Sequence, residues 1–350
     1  MDLRNVFKII KRKAKTFDSI IKPISNGKLD YFLVAVDYLY SIYVQRISSD
    51  EYLKYNFYNL KPRYRKQFIL QRDRAKFVNL NTLGFTKSKY TFYKYIPDLF
   101  AREMIIAPYC GEDTFVEFLK KHQKIVIKPD RGSLGIGVDV VEFTDNQSAK
   151  QYFKGITSNR PMICEEFIRQ HPVLNQLNPS SVNTIRIASF LKDNEVEILA
   201  AVLKFGVGND CITDNLSLGG IGAQIDIPSG IVCSFGRDFN FHAYAHHPST
   251  GTQILGLQIP YWDAAIDLVK EAHKRVPQCL FYGWDIAITE TGVDIVEANS
   301  RPGTRIMQVM DAVPKGKTLL PLLKRDRLKG MRDEYTQEFY QNLKKYSFNE

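Results

Sequence analysis

The fold-deciding stretch is Asp285-Ile286-Ala287-Ile288-Thr289, then Glu290-Thr291-Gly292, then Asp294-Ile295-Val296-Glu297-Ala298-Asn299. Two short runs rich in Ile and Val flank a tight turn ending in Gly, which predicts a β-hairpin turning through 290–292. In that register Asp285 lies opposite Glu297. Like charges placed directly opposite on a sheet destabilise it, and a shared cation would remove that penalty. Asn299 sits two residues past Glu297 and so faces the same side. Two carboxylates and an amide oxygen on one face form an all-oxygen site that suits Mg²⁺. A one-residue slip would carry Asp285 to the other face, and the competing reading is a solvated edge hairpin.

Upstream, Lys124-Ile125-Val126-Ile127-Lys128-Pro129 reads as a strand ending in a lysine. It runs into Asp130-Arg131-Gly132-Ser133-Leu134-Gly135-Ile136-Gly137 and a second strand from Val138. The glycines let backbone amides turn toward an anion, and Lys128 adds a point charge at the same end. The spacing G-x-x-G-x-G fits neither the GK[ST] phosphate loop nor the dinucleotide fingerprint. Alone, such a loop is more often a structural turn. Paired with a carboxylate hairpin, it suggests a nucleoside triphosphate held between a cationic loop and a metal.

Composition narrows the classes. The 350 residues, 44% hydrophobic and 25% charged, describe a globular chain able to bury a large core. No apolar run approaches the roughly 20 residues of a membrane helix. No signal peptide is expected after Met1-Asp2-Leu3-Arg4. Cysteines 110, 164, 211, 233 and 279 are scattered, which argues for reduced thiols, a cytoplasmic setting and no zinc-thiolate site. Residues 1–94 hold 20 Lys+Arg against 7 Asp+Glu, a net of +13, and the remainder carries −3. An anionic partner is therefore expected. Val6–Lys15 mixes apolar residues with a cationic run, as in a helix lying on anionic lipid or a solvated basic helix end. No nucleic-acid-binding signature is present, so none is expected as a partner.

Helices are expected to about residue 80 and over Glu112–His122, Ser148–Gly155 and Trp262–Arg275. Strands are expected over Lys124–Lys128, Val138–Phe143, Met162–Phe167, Thr184–Phe190, Glu195–Phe205, Gly222–Ile227, Trp284–Thr289 and Asp294–Ala298. The mixture lacks regular βαβ alternation, which predicts an α+β fold with antiparallel sheets. His242, His246 and His247 include an i, i+4 pair, but the surrounding Tyr, Pro, Ser and Gly argue against a helical zinc site.

Lys128-Pro129 with the glycine loop, Cys164-Glu165-Glu166-Phe167-Ile168, Asp285, and Glu297-Ala298-Asn299 resemble the ATP-grasp superfamily. Residues 166–190, Asp214-Asn215 with Gly219-Gly220, His247-Pro248-Ser249-Thr250-Gly251, Ile259-Pro260 and Gly283-Trp284-Asp285 resemble its sugar-transfer-associated branch, over roughly residues 60 to 320. The resemblance implies two α+β lobes with ATP between them. The basic helical region would cover 1–80 and the ATP-grasp body 81–325, with a lid-like lobe near 115–165, a larger lobe near 166–325, and a tail over 326–350.

The resemblance also implies roles. Lys128 and Lys89 (or its competitor Lys87) would hold ATP phosphates, under the loop of Gly132, Ser133, Gly135 and Gly137. Glu165, Glu166, Phe167 and Ile168 would form the adenine hinge. Asp285, Glu297 and Asn299 would be the Mg²⁺ ligands. Arg186, a charge in an apolar strand, is either a structural salt bridge or a phosphoryl clamp, and Arg301 is a second clamp candidate. Asn183 and Asp214-Asn215 would line the cavity, Lys204 would face ATP or solvent, and His247 would lie near the acceptor. The implied activity is an ATP-dependent carboxylate–amine ligase working through an acyl phosphate in polysaccharide or envelope-glycan biosynthesis. Its substrates would be a small carboxylate and an amine such as an amino sugar or a lipid-linked glycan, at the inner membrane face. The alternatives are an ATP-grasp kinase and a nucleotide-binding scaffold.

Overall fold

The computed structural model describes residues 15–73, 88–132, 135–156, 160–208, 213–240, 242–277, 279–300, 302–303, 306–310 and 314–323. The chain forms two compact units, Met1–Ala75 with Pro314–Leu320, and Lys76–Val313 with Pro321–Glu350. All of the basic segment Val6–Lys15 except its last residue lies outside the described residues.

The first unit is helical. Gly27–Leu39 runs into a wider turn over Tyr40–Val44. The helix Ser49–Lys54 starts at a capping box, in which Ser48 Oγ accepts from Glu51 N and Glu51 accepts from Ser48 N. Tyr55, Phe57 and Phe68 pack ring on ring at 5.1–5.3 Å. Arg65 is buried beside them, and its fork reaches both oxygens of Asp37 at 3.0 and 2.8 Å. Asp37 also accepts from Tyr52 Oη at 2.7 Å, so the buried charge is paired and hydrogen-bonded.

The second unit contains two sheets, and every strand pair in them is antiparallel. The strands are β1 Met104–Ala107, β2 Lys124–Pro129, β3 Asp139–Glu142, β4 Met162–Glu166, β5 Thr184–Lys192, β6 Glu195–Phe205, β7 Ile221–Ile225, β8 Gly236–Arg237, β9 Ala243–Tyr244, β10 Phe281–Ile288 and β11 Val293–Asn299. The smaller sheet has the order β1-β4-β2-β3, and the larger has the order β11-β10-β5-β6-β7-β8-β9. The α+β expectation with antiparallel sheets is met.

Alternation decides which face of the large sheet is apolar. Ile185 and Ile187 on β5, Ala201, Leu203 and Phe205 on β6, and Tyr282, Trp284 and Ile286 on β10 join one core with Ala265, Val269 and Ala272 of the helix Trp262–Arg275. Burying each large aliphatic side chain there contributes about 1.5–3 kcal/mol. The intervening residues Arg186, Val202, Lys204, Gly283 and Asp285 must then face the other way. In the small sheet, Phe115 and Leu119 of the helix Glu112–His122 and Phe153 of the helix Asn146–Ile156 close over Ile125, Ile127 and Cys164.

The hairpin differs from its expected form. Ile288 pairs with Val293, so the connection is the four residues 289–292, and Thr289 N donates to Gly292 O. A bulge at Val296 then restores the pairing of Asp285 with Glu297. Two residues opposing one is the signature of a bulge, and it sets Val296 and Glu297 toward the same face. The expected pair is present, reached by a connection one residue longer than expected and one extra residue in β11.

Candidate functional site

The site lies on the polar face of the large sheet, across four neighbouring strands. Arg186 on β5 is directly opposite Asp285 on β10, and Asp285 is directly opposite Glu297 on β11. Lys204 stands on β6, two residues from the partner of Arg186. The register thus writes a row Lys204, Arg186, Asp285, Glu297.

Arg186 binds Asp285 with both arms of its fork, Nε to Oδ1 at 2.7 Å and Nη2 to Oδ2 at 2.8 Å. Lys204 Nζ lies 3.2 Å from the same Oδ1 and 3.3 Å from Asp214 Oδ1. Asp214 is in turn fixed by Thr184 N at 2.9 Å. Asn299 Nδ2 points at Asp285 Oδ2 from 3.5 Å, and rotating the amide would offer its oxygen instead. Burial alone would lift the Asp285 carboxyl, but the Arg186 charge and then Lys204 outweigh it and hold the group at about 2. The Arg186 guanidinium loses hydration by burial, yet Asp285 keeps it firmly charged.

Glu297 is the exception in this row. Among the described residues it makes no hydrogen bond and no ion pair, although most of its side chain is withdrawn from water. Burial first, and the Asp285 charge second, push its carboxyl above the usual range, against the more distant Lys89, Lys128 and Arg186. A carboxylate in that condition is relieved by a cation. The donor set therefore fits a hard divalent ion held by Glu297 and Asp285, with Asn299 beside them. Both Asp285 oxygens already meet cationic side chains, so Glu297 is the more available ligand. No cluster of three His, Cys, Asp or Glu side chains suited to a metal occurs among the described residues.

A second row of charges joins the two sheets. Lys128 Nζ lies 2.7 Å from Glu165 Oε1, and Glu165 stands 3.4 Å from the Arg102 fork. Arg102 continues to Asp294 Oδ2 at 2.5 Å and to the carbonyl of Ile295 at 2.6 Å. All four side chains are buried. Burial works against ionised Glu165, but Arg102 and Lys128 together hold its carboxyl below the usual range. This chain sets the position of Lys128. Arg102 and Asp294 were absent from the sequence-based set, because neither belongs to a recognisable spacing.

Lys89 begins the helix Lys89–Tyr95, which Ser88 caps by accepting from Thr91 N at 3.1 Å. Asp130, at the end of β2, accepts from Ser88 Oγ and Tyr90 N, both at 3.0 Å. The carboxylate at a helix N-terminus is electrostatically favourable and pins this helix to the strand carrying Lys128. Lys89 Nζ donates to the Gly132 carbonyl at 3.0 Å. Burial pushes the Lys89 ammonium below its ordinary range, against the pull of Glu297 and with the push of Lys128. Lys89, Phe92, Phe100, Glu165, Val296 and Glu297 line one cavity.

The other expected residues are distributed as follows. Gly135 and Gly137 have φ of +71° and +76°, the left-handed region that favours glycine. Gly132 precedes them, and Ser133, Lys87 and Arg301 lie outside the described residues. Glu165 is spent on Lys128 and Arg102. Glu166 is half-exposed, 3.8 Å from His122, with its amide donating to the Glu103 carbonyl. Phe167 lies under the Lys124 ammonium at 4.7 Å, and Ile168 is half-buried beyond it. Asn183 is fully buried, and its amide donates to the carbonyls of Leu174 and Asn178 at 2.9 and 2.8 Å. It braces the 170–183 loop rather than facing a ligand. Asn215 caps a short turn at Ser217 N. His247 is buried, with Nε2 on the Gly206 carbonyl and Nδ1 accepting from the amides of Ser249 and Thr250. It is a loop tether, not a group presented to an acceptor. Lys204 faces Asp285, not solvent.

No curated protein matches the chain. Solved structures of similar architecture include D-alanine–D-alanine ligase from Bacillus anthracis, at 14% identity and a TM-score of 0.44, covering 79% of this chain and 80% of that one. Another is the ATP-grasp ligase PsnB complexed with minimal precursor, at 13% identity and a TM-score of 0.40, covering 70% and 60%. A third is the VanG D-Ala:D-Ser ligase from Enterococcus faecalis, at 15% identity and a TM-score of 0.41, covering 71% and 62%. The family described as sugar-transfer associated ATP-grasp matches residues 96–325, which hold both sheets and most of the charged rows, and the chain belongs to that family.

Proposed function

We propose that the chain is an ATP-dependent carboxylate–amine ligase that activates its acid as an acyl phosphate and releases ADP and phosphate. The observation that carries this reading is the half-buried Glu297, which has no hydrogen-bond or ion-pair partner among the described residues, opposite Asp285 and in one cavity with Lys89, with Arg186 on the other side of Asp285. Glu297, Asp285 and Asn299 would hold Mg²⁺, which supplies charge neutralisation on the triphosphate when bound.

The chain's own residues then have separable tasks. Lys128 and Lys89 supply positive charge for phosphate oxygens, and the Glu165–Arg102–Asp294 chain fixes where Lys128 points. The Gly132–Gly137 loop offers backbone amides to the same oxygens. Arg186, with Nε and Nη2 on Asp285, would offer its remaining Nη1 arm to an equatorial oxygen of a transferring phosphoryl group or of an acyl phosphate. Attack of the substrate carboxylate on the γ-phosphorus breaks its bond to the β–γ bridging oxygen. The amine then attacks the acyl carbon and phosphate leaves with the former carboxylate oxygen. Positioning and electrostatics suffice, with no covalent enzyme intermediate.

The family's association with sugar transfer supports an amine carried on an amino sugar or lipid-linked glycan, in polysaccharide or cell-envelope biosynthesis at the cytoplasmic side. Glu297→Gln tests the site directly. ATP turnover should fall by at least about 10²-fold with no loss of melting temperature, and normal turnover in that variant would remove Glu297 from the reaction.

A further inference from the structure

The helix Gly27–Leu39 and the turn to Val44 expose an unbroken apolar face. Leu29, Phe32, Leu33, Val36, Leu39, Tyr40, Tyr43 and Val44 follow the three-and-four spacing of one helical side, and each is 42–77% exposed. Eight large apolar side chains exposed in one stripe differ from the single scattered ones that a monomer's surface normally carries. The opposite side of the helix already has its partners, with Val34, Ala35, Tyr38 and Ser41 buried in the first unit.

The exposed charges at the two ends of this face are cationic. Both carboxylates of the segment turn away from it: Asp30 accepts from Asn26 N at 2.6 Å, and Asp37 is taken by Arg65 and Tyr52. Lys28 is exposed at one end of the stripe and Arg46 at the other. Gln45 donates to the Pro62 carbonyl at 3.4 Å, which brings exposed Lys61 and Arg63 beside the Arg46 end, together with exposed Tyr64. An apolar stripe with tyrosines toward one end and a cationic border matches a helix lying in the plane of an anionic bilayer. Antiparallel pairing with a second copy of this face would bring the Lys28 end of one against the Arg46 end of the other, cation against cation. No helix among the described residues is long and apolar enough to cross a membrane.

We propose that the Leu29–Val44 face seats the protein in the surface of anionic phospholipid membranes. This is independent of the ligase reading and rests on a different segment from Val6–Lys15. The test is co-sedimentation of the full chain with vesicles of phosphatidylcholine alone and of phosphatidylcholine mixed with phosphatidylglycerol. Wild type should partition at least about tenfold more strongly onto the anionic vesicles, and added salt should weaken the binding. Leu33→Glu with Tyr43→Glu should reduce binding at least about tenfold while the far-ultraviolet circular dichroism and melting temperature stay unchanged. Lys28→Glu with Arg46→Glu should remove the preference for phosphatidylglycerol. Absence of partitioning, or partitioning indifferent to both pairs of substitutions, would overturn the proposal. So would a dimer in sedimentation velocity that the Leu33 and Tyr43 pair dissolves, because the face would then belong to a second copy.

Discussion

Removing Arg102 probes the join between the two sheets. Its guanidinium is 4% exposed and serves Asp294, Glu165 and two backbone carbonyls at once. In Arg102→Ala, Glu165 keeps Lys128 as a partner. Asp294, 1% exposed, loses the cation it pairs with among the described residues and keeps the Ala101 amide at 3.0 Å. Breaking a buried pair from one side costs about 3–5 kcal/mol. At about 2–4 °C per kcal/mol for a unit of this size, the melting temperature should fall by roughly 6–20 °C. Arg102→Ala with Asp294→Ala removes both ends, so the double variant should recover part of the loss, a coupling of about 1–3 kcal/mol in a double-mutant cycle. Urea unfolding followed by tryptophan fluorescence reads all three variants. A single variant within about 0.5 kcal/mol of wild type, or a strictly additive double variant, would refute the claim that this chain of charges ties β4 to β11.

Glu297→Gln should stabilise the ligand-free protein at neutral pH. A carboxyl whose folded value is raised binds its proton more tightly when folded, so wild type gains stability as pH falls through that value toward the unfolded 4.5, and the variant lacks this gain. Asp285 has the opposite sign: held at about 2 against 3.8, it contributes about 2 kcal/mol that is present above pH 3.8 and lost as pH falls toward 2, a slope Asp285→Asn should remove in acid titrations of stability. His273 is buried with Nδ1 on Ser189 Oγ and Nε2 on the Cys279 carbonyl, and burial drops it to about 4. Its contribution should therefore decline by about 3 kcal/mol as pH falls from 6.5 to 4, and His273→Gln should flatten that window in melting experiments. Gly283→Ala places a Cβ 2.8 Å from Pro302 Cβ and 3.2 Å from Arg186 Cδ, so kcat should fall through displacement of the Arg186 fork while KM for ATP moves less.

Much of this was legible in the chain. Helices Glu112–His122 and Trp262–Arg275 have the bounds that periodicity predicts because each carries a long one-sided apolar pattern, and strand β6 has its expected bounds because it is a long apolar run, buried on both faces from Ala200 to Phe205. The sequence pairs Asp285 with Glu297 through a turn at 290–292; the connection is one residue longer, and the extra residue in β11 brings the same pair together. The Val296 bulge was not legible, since nothing in Ile295-Val296-Glu297 distinguishes a paired residue from an extra one. Strands β1, β8 and β9 are four, two and two residues long, too short for a pattern. Arg102 and Asp294 are 192 positions apart and meet only through tertiary structure. Asn183 and His247 carry side chains suited to ligands, but the loop backbone around each consumes their hydrogen-bonding groups, which spacing cannot foretell. The same holds for Gly283, whose missing side chain makes room for Arg186.

The central claim is that a carboxylate is activated by phosphoryl transfer and then captured by an amine. The most direct measurement supplies Mg-ATP, a panel of amino acids labelled with ¹⁸O in the carboxylate, and amino sugars free or lipid-linked. The account predicts a condensed amide product and one ¹⁸O in the inorganic phosphate released, only when acid and amine are both present. A stable phosphoester on an acceptor hydroxyl, with no ¹⁸O reaching phosphate, would contradict it.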